Sequence, residues 1–207
     1  MNNAPKISVI MPSYLGYYAR CANNRDAKIL RAIKSVVAQN YENWELIIIA
    51  DGCEKTVKIV NDYLSGNPNE KIIGYKISKN KTWAGVPRNT GISLATGEII
   101  CYLDIDDYLG ENHLKFIAEN FINDWVWFNE IIYNKDKFIH ATANIHHYGK
   151  CGTCNIAHKK NAVEWEINSK YSLDDWAVIQ KLNNKSKGVF IGNSEYYVCH
   201  IPNTYDI

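Results

Sequence analysis

Three carboxylates crowd into four residues at Asp104-Ile105-Asp106-Asp107, directly after the apolar run EIICYL. At neutral pH they repel one another. They are tolerated when fully solvated or when a cation neutralises them. The run before them should bury its end, which argues against full solvation. Carboxylate oxygens suit a hard divalent ion such as Mg²⁺ or Mn²⁺, which keeps positions open for substrate phosphates. A solvated or calcium-like acidic turn is the bland alternative. Asp51 closes a second apolar run, WELIIIA, and is followed by Gly52. Pro12-Ser13-Tyr14 closes a third, ISVIM. Farther on, Asp174-Asp175 opens the stretch DDWAVIQKLN, where two acids suit a helix N-terminus by capping and by charge.

Cys151-Gly-Thr-Cys154 has the spacing of a redox pair or of half a zinc site. A redox pair should follow a strand and open a helix early in a βαβ unit. This one lies in a polar stretch, HHYGKCGTCNIAHKK. A zinc site would draw on His146, His147 or His158, but there is no second CxxC. A plain loop or strand pair is the expectation. Cys101 and Cys199 lie in strand-like apolar runs and read as core thiols. A chain this long and this apolar has no need of disulfides.

Elements that would position these residues alternate through the first half. Residues 7–11 read as a strand. A helix capped by Asp26 follows, with Ile29, Leu30, Ile33, Val36 and Val37 on its apolar face. Residues 44–50 read as a buried parallel strand. A helix over about 56–64, a strand over 72–77, a helix from Pro87 to Ala95 and a strand over 98–103 complete the series. The β-α-β-α-β-α-β order implies a parallel sheet with helices on both faces. Ligands of such sheets bind beyond the carboxyl ends of the strands, where the strand order reverses. Asp51, Asp104 and Asp106 stand at such ends. The second half is less regular. Residues 111–122 read as a helix, 125–133 and 137–142 as a hairpin turned by Asn134-Lys135-Asp136, 174–183 as a helix and 195–200 as a strand.

Composition bounds the function. The chain has 207 residues, 46% hydrophobic and 22% charged, enough for one domain with a real core. That excludes disorder, collagen and coiled coil. With 23 Lys and Arg against 22 Asp and Glu, nothing global points to nucleic acid. No apolar run approaches the length of a membrane span, and MNNAPKISVIMPSY lacks a signal peptide's apolar region, so a cytoplasmic location is expected.

The segments ISVIMPSY, AIKSVVAQNYENWELIIIADG and GVPRNTGISLATGEIICYLDIDDY together resemble family 2 glycosyltransferases of the GT-A fold. The resemblance is dense over residues 6–122 and looser over 170–205. It implies a mostly parallel Rossmann-like sheet with a smaller mixed region on the acceptor side. It also implies one domain with a nucleotide-sugar-binding half, 1–107, and an acceptor half, 108–207. In such enzymes Pro12 and Tyr14 would line the base pocket, and Asp51 would contact uracil. The family carries a second acid where this chain has Ala50. Asn80 would reach the base and Arg88 the base and phosphates. Asp104 would face the ribose, and Asp106, with His200, would hold Mn²⁺ or Mg²⁺; Asp107 would be supporting. Asp175 would be the base that deprotonates the acceptor hydroxyl, with Trp176 beside it to stack on a sugar. The activity implied is that of an inverting hexosyltransferase using a nucleotide sugar, UDP-linked, toward a glycan, and the chain's length leaves room for it to be one module of a larger polypeptide.

Three other readings remain open at this level. A nucleotide-sugar-binding module that has lost turnover would keep the fold. A Mg²⁺-dependent phosphatase of the haloacid-dehalogenase type also uses D-x-D, though normally after the first strand and followed by Thr or Ser. A CxxC oxidoreductase would need Cys151 and Cys154 and tolerate loss of Asp106.

Overall fold

In a computed structural model of the chain, residues 4–80, 83–134, 136–167, 174–202 and 205–207 are described. Lys135 of the expected turn and Leu173 before the acidic pair lie outside them. The first half alternates as its pattern predicts: β1 (Ile7–Ser13), α1 (Arg25–Val37), β2 (Trp44–Asp51), α2 (Glu54–Gly66), β3 (Ile72–Ile77), α3 (Gly85–Leu94) and β4 (Ile99–Tyr102). The four strands are parallel in the order β3-β2-β1-β4. The chain therefore moves outward in opposite directions from β1, and the crevice for a ligand opens at that reversal.

Side-chain alternation explains why these strands read as continuous apolar runs. Val9 and Met11 of β1, Leu46 and Ile48 of β2 and Cys101 of β4 pack on one face, with Ile29, Ile33 and Val36 of α1 and Val60 of α2. Ile10, Ile47, Ile49, Ile100 and Tyr102 pack on the other, with Ile92 of α3. On β1, β2 and β4 both faces are covered, so little polar alternation survives, whereas β3, at the edge of the sheet, is exposed over residues 73–76. Pro12 lies within β1 instead of ending it. β4 pairs with β1 only as far as Ile10–Tyr102, so the missing amide falls where β1 has β2 alone beside it. Asp26 is not the cap of α1. Asn24, in left-handed backbone at φ 49°, takes that place, and Asp26 sits in the first turn.

The second half adds β5 (Tyr108–Leu109), α4 (His113–Asn120), β6 (Trp125–Asn134), β7 (Lys137–Ala141), β8 (Ile156–Lys159), α5 (Asp174–Lys185), β9 (Val189–Val198), β10 (His200–Ile201) and β11 (Tyr205–Asp206). The main sheet continues from β4 through β8, β6 and β9 to β5, with β7 hairpinned onto β6; β10 and β11 form a small separate ladder. β8 is antiparallel to β4 and β6, whereas β6 and β9 run parallel. The strand expected over 195–200 starts earlier, at Val189, and ends at Val198. Among the described residues no helix is long and apolar enough to cross a membrane.

Candidate active site

A cleft of ≈ 640 Å³ opens beyond the carboxyl ends of β1, β2 and β4, and its lining includes Pro12, Tyr14, Asp51, Asn80, Asp104 and Asp106. At one end, Asp51 is 5% exposed and accepts hydrogen bonds from the Asn80 amide (2.8 Å) and Lys79 Nζ (2.6 Å). Lys79 Nζ also lies 4.0 Å from the Tyr14 ring centre, within cation–π range. Gly52, at φ +61°, makes this meeting possible. A Cβ there would stand 2.6 Å from Lys79 Cα and 2.7 Å from its amide nitrogen. The Asp-Gly pair thus brings the 79–80 segment against the end of β2.

At the other end, the acidic loop is held from both sides. Asp107 is buried and turned inward, its carboxylate accepting from the Tyr196 hydroxyl (3.1 Å) and the Cys199 amide (2.8 Å). The same hydroxyl accepts from the Asp104 amide at 3.0 Å. Asp104 and Asp106 are left facing the cleft. Burial, with Asp106 and Asp175 nearby, pushes the Asp104 carboxyl up to about 6 despite the opposing pull of Arg88. Burial also raises Asp106, against the pull of its own amide, His200 and Lys28. The Asp107 carboxyl lies well above the usual range, from burial first and from its two acidic neighbours second.

Arg88 of α3 is the hinge of the arrangement. It is 6% exposed. Its guanidinium reaches Asp175 Oδ1 of α5 at 3.2 Å, Asp104 Oδ1 at 3.5 Å and the Thr153 hydroxyl at 3.0 Å. The Trp165 ring lies under it at 4.3 Å. Burial works against the charge, but Asp175 and Asp104 outweigh it, and the guanidinium is held more firmly cationic than usual. Trp165 is itself fixed, its indole N–H donating to the Tyr102 hydroxyl (2.9 Å), which meets His158 Nε2 (2.6 Å). Burial lowers His158 to about 4, so it is a neutral partner here.

The structure brings the sequence-predicted residues together in two groups. Pro12, Tyr14, Asp51 and Asn80 line the outer part of the cleft. Asp104, which also lines the cleft, meets Arg88, and Arg88 in turn meets Asp175, these last two lying behind the lining residues. Arg88 therefore faces two carboxylates, a position the sequence motif alone does not reveal. His200 sits close enough to act on the Asp106 charge. Its Nε2 lies 2.9 Å from the Arg20 carbonyl, and its Nδ1 lies 3.4 Å from Asp206. Among the described residues, no group of three or more His, Cys, Asp or Glu side chains is placed to hold a metal ion. Metal holding would thus rest on few protein atoms. Trp176 stacks edge-on with Tyr148, ring centres 6.0 Å apart. Thr153, Trp165 and Tyr196 were not singled out from sequence. All three sit far along the chain from the groups they hold.

The cysteines are free thiols, and Cys151 and Cys154 form no disulfide. Burial, then Glu130, pushes both up, so neither is poised as a thiolate.

The model for glycosyl transferase family 2 matches residues 8–181. Over 141 residues the chain is 34% identical to a protein of Escherichia coli K12 provisionally named colanic acid biosynthesis glycosyl transferase WcaA, covering 63% of this chain and 47% of WcaA. It is 34% identical over 116 residues to the poly(ribitol-phosphate) beta-N-acetylglucosaminyltransferase TarP of Staphylococcus aureus N315, covering 53% of this chain and 31% of TarP. The match thus spans less than half of either relative. Among solved structures, S. aureus TarS superposes with a TM-score of 0.72 over 93% of this chain and 60% of that one, at 20% identity. TarS has also been solved with UDP and with UDP-GlcNAc. The mannosyltransferase PcManGT of Pyrobaculum calidifontis, solved with GDP-Man and Mn²⁺, superposes with a TM-score of 0.66 over 98% of this chain and 59% of that one, at 14% identity. At such identities the superpositions establish the fold, GT-A, and leave the chemistry to the site.

Proposed function

Since the chain belongs to glycosyl transferase family 2 and takes the GT-A fold, we propose that it moves a sugar from a nucleotide-diphosphate sugar, UDP-linked, to a hydroxyl of a glycan, with inversion. One observation carries this reading. A single buried guanidinium, Arg88, joins the cleft acid Asp104 to the acid Asp175 at the start of α5. In this reading Asp104 would face the donor and Asp175 the acceptor, the two coupled through one guanidinium.

The cleft would take the nucleoside at its outer end, against Pro12, Tyr14, Asp51 and Asn80, and the diphosphate toward Asp104 and Asp106. Asp175, its side chain 39% exposed, would accept the proton of the acceptor hydroxyl. That oxygen bonds the anomeric carbon as the bond from the carbon to the diphosphate breaks. The electron pair leaves with the nucleoside diphosphate, and attack opposite the leaving group inverts the carbon. Arg88 cannot lose its charge and so remains a donor throughout, keeping Asp175 oriented.

A divalent ion fits the donor set. Asp104 and Asp106 offer hard oxygens, and burial raises both carboxyls, a cost to their ionised forms that a bound cation would relieve. Asp106, with His200 near it, would hold Mn²⁺ or Mg²⁺, which when bound would supply positive charge to the departing diphosphate. UDP is favoured by the UDP and UDP-GlcNAc complexes of TarS.

The test is a thermal-shift series with UDP, GDP, dTDP and CMP, each with and without Mn²⁺, on the wild type and Asp106→Asn. A ligand at a hundredfold its dissociation constant adds about 2.7 kcal/mol, or roughly 5–10 °C for a chain of this size. UDP should shift the wild type only with Mn²⁺ and leave the variant unmoved. A shift with GDP alone would overturn the uracil role of Asp51. No shift with any nucleotide would overturn the donor site.

A further inference from the structure

We infer that Thr153, in the middle of the Cys-Gly-Thr-Cys turn, is a positioning residue for the Asp175 carboxylate, an inference that rests on the transferase reading above. Thr153 is 4% exposed. Its hydroxyl stands between two charged groups, Arg88 Nη2 at 3.0 Å and Asp175 Oδ2 at 3.4 Å. A guanidinium can only donate. The hydroxyl must therefore accept from Arg88, which leaves its one proton for Asp175. Arg88 Nη1 meets the other oxygen, Oδ1, at 3.2 Å. Both oxygens are thus addressed, one by a cation and one by a hydroxyl whose direction the same cation sets. The 3.4 Å separation is long for a hydroxyl bond.

The turn is built to hold that hydroxyl still. The Gly152 amide donates to Asn155 Oδ1 (2.8 Å), and the Asn155 amide donates to the Gly152 carbonyl (3.1 Å). Asn155 Nδ2 donates to the Phe128 carbonyl of β6 at 3.0 Å and also meets Glu130. A Cβ at Gly152 would stand 3.3 Å from Asp175 Oδ2, tighter than ordinary contact, so glycine leaves the carboxylate its room. Of the two thiols that flank the pair, Cys151 is buried and Cys154 half-buried, and burial favours the protonated form of both. What this motif contributes lies in its two middle residues, and the chemistry it touches is that of Asp175.

The experiment compares wild type, Thr153→Val, Thr153→Ser and Asp175→Asn as full chains with Mn²⁺. It follows nucleotide release from UDP-GlcNAc and from GDP-mannose with water standing in for the acceptor. Calorimetric affinities for UDP and GDP are measured in parallel. Thr153→Val should lower kcat about tenfold with donor KM and nucleotide affinity unchanged. Thr153→Ser, which keeps the hydroxyl, should restore most of the rate, and Asp175→Asn should fall further than Thr153→Val. If Thr153→Val turns over like wild type while Asp175→Asn is dead, the base stands and the inference is overturned. Parallel loss of kcat and nucleotide affinity, not restored by serine, would also overturn it, as a merely structural role. If Asp175→Asn keeps wild-type turnover, or the wild type binds neither UDP nor GDP with Mn²⁺, the transferase reading fails and takes the inference with it.

Discussion

Replacing Asp104 with Asn should make the ligand-free protein more stable at neutral pH while impairing nucleotide binding. The Asp104 carboxyl lies at about 6 in the folded chain against an ordinary 3.8, from burial first and from Asp106 and Asp175 second. A carboxyl raised on folding stabilises below its unfolded value, and that contribution is lost as pH rises through the folded one. Above pH 6 the ionised side chain is therefore a liability that Asn does not carry. Two pH units amount to about 3 kcal/mol at full effect. The side chain is 41% exposed, and screening by water brings the expectation to about 1 kcal/mol, or roughly 2–4 °C for a chain of this length. Urea unfolding of both proteins in a chelator, in unit steps from about pH 4 to pH 8, measures it. The variant should lead above pH 6, and the gap should close as pH falls toward 3.8. A variant less stable than wild type at about pH 8, or a gap indifferent to pH, would refute the reasoning.

Three further outcomes are expected. Glu45, at the opposite end of β2 from the site, has its carboxyl held at about 2 against 4.5. Burial opposes this but is outweighed by Lys6, Ser8 and Thr96. Its contribution is present above 4.5 and lost as pH falls toward 2, so Glu45→Gln should cost about 1–2 kcal/mol at neutral pH and flatten acid unfolding over that window. Gly52→Ala must bear left-handed backbone and displace Lys79. It should lose about 2 kcal/mol of stability and weaken UDP several-fold, read by urea unfolding and calorimetry. Iodoacetamide on the native protein should leave Cys151 and Cys154 unmodified by mass spectrometry, because burial holds both as thiols. Rapid labelling of either would contradict their place in the fold.

The first half of the chain was legible because its signals are local. Apolar runs of strand length, separated by helical periodicity and each ended by an acid or a turn, specify parallel strands and place their last residues on one rim. The second half was not, because its pairing is settled by distant partners. β8 is four residues long and contains a histidine, and it becomes a strand because β4 and β6 offer it edges. β9 passes through Gly192, Asn193 and Ser194 with shifts of register against β6, so its first half shows no strand pattern. Asn24 displaced Asp26 as cap because it tolerates left-handed backbone. Arg88 could be assigned to the site from its motif. Its two carboxylate partners lie 16 and 87 positions away, and only the tertiary fold brings them together. The Cys-Gly-Thr-Cys motif drew the eye to its sulfurs, while the fold uses the hydroxyl between them.

The Tyr196 hydroxyl binds the Asp104 amide and the Asp107 carboxylate at once, from a strand some ninety residues downstream. Whatever shapes β9 therefore shapes the acids that would meet the donor. Recombining this chain with a relative at the boundary near residue 107 would carry over a new acceptor face and, with it, a new anchor for the old acidic loop. Swaps of that kind should succeed when the incoming strand brings a phenol to the same register. When it does not, they should fail in nucleotide binding before they fail in acceptor choice.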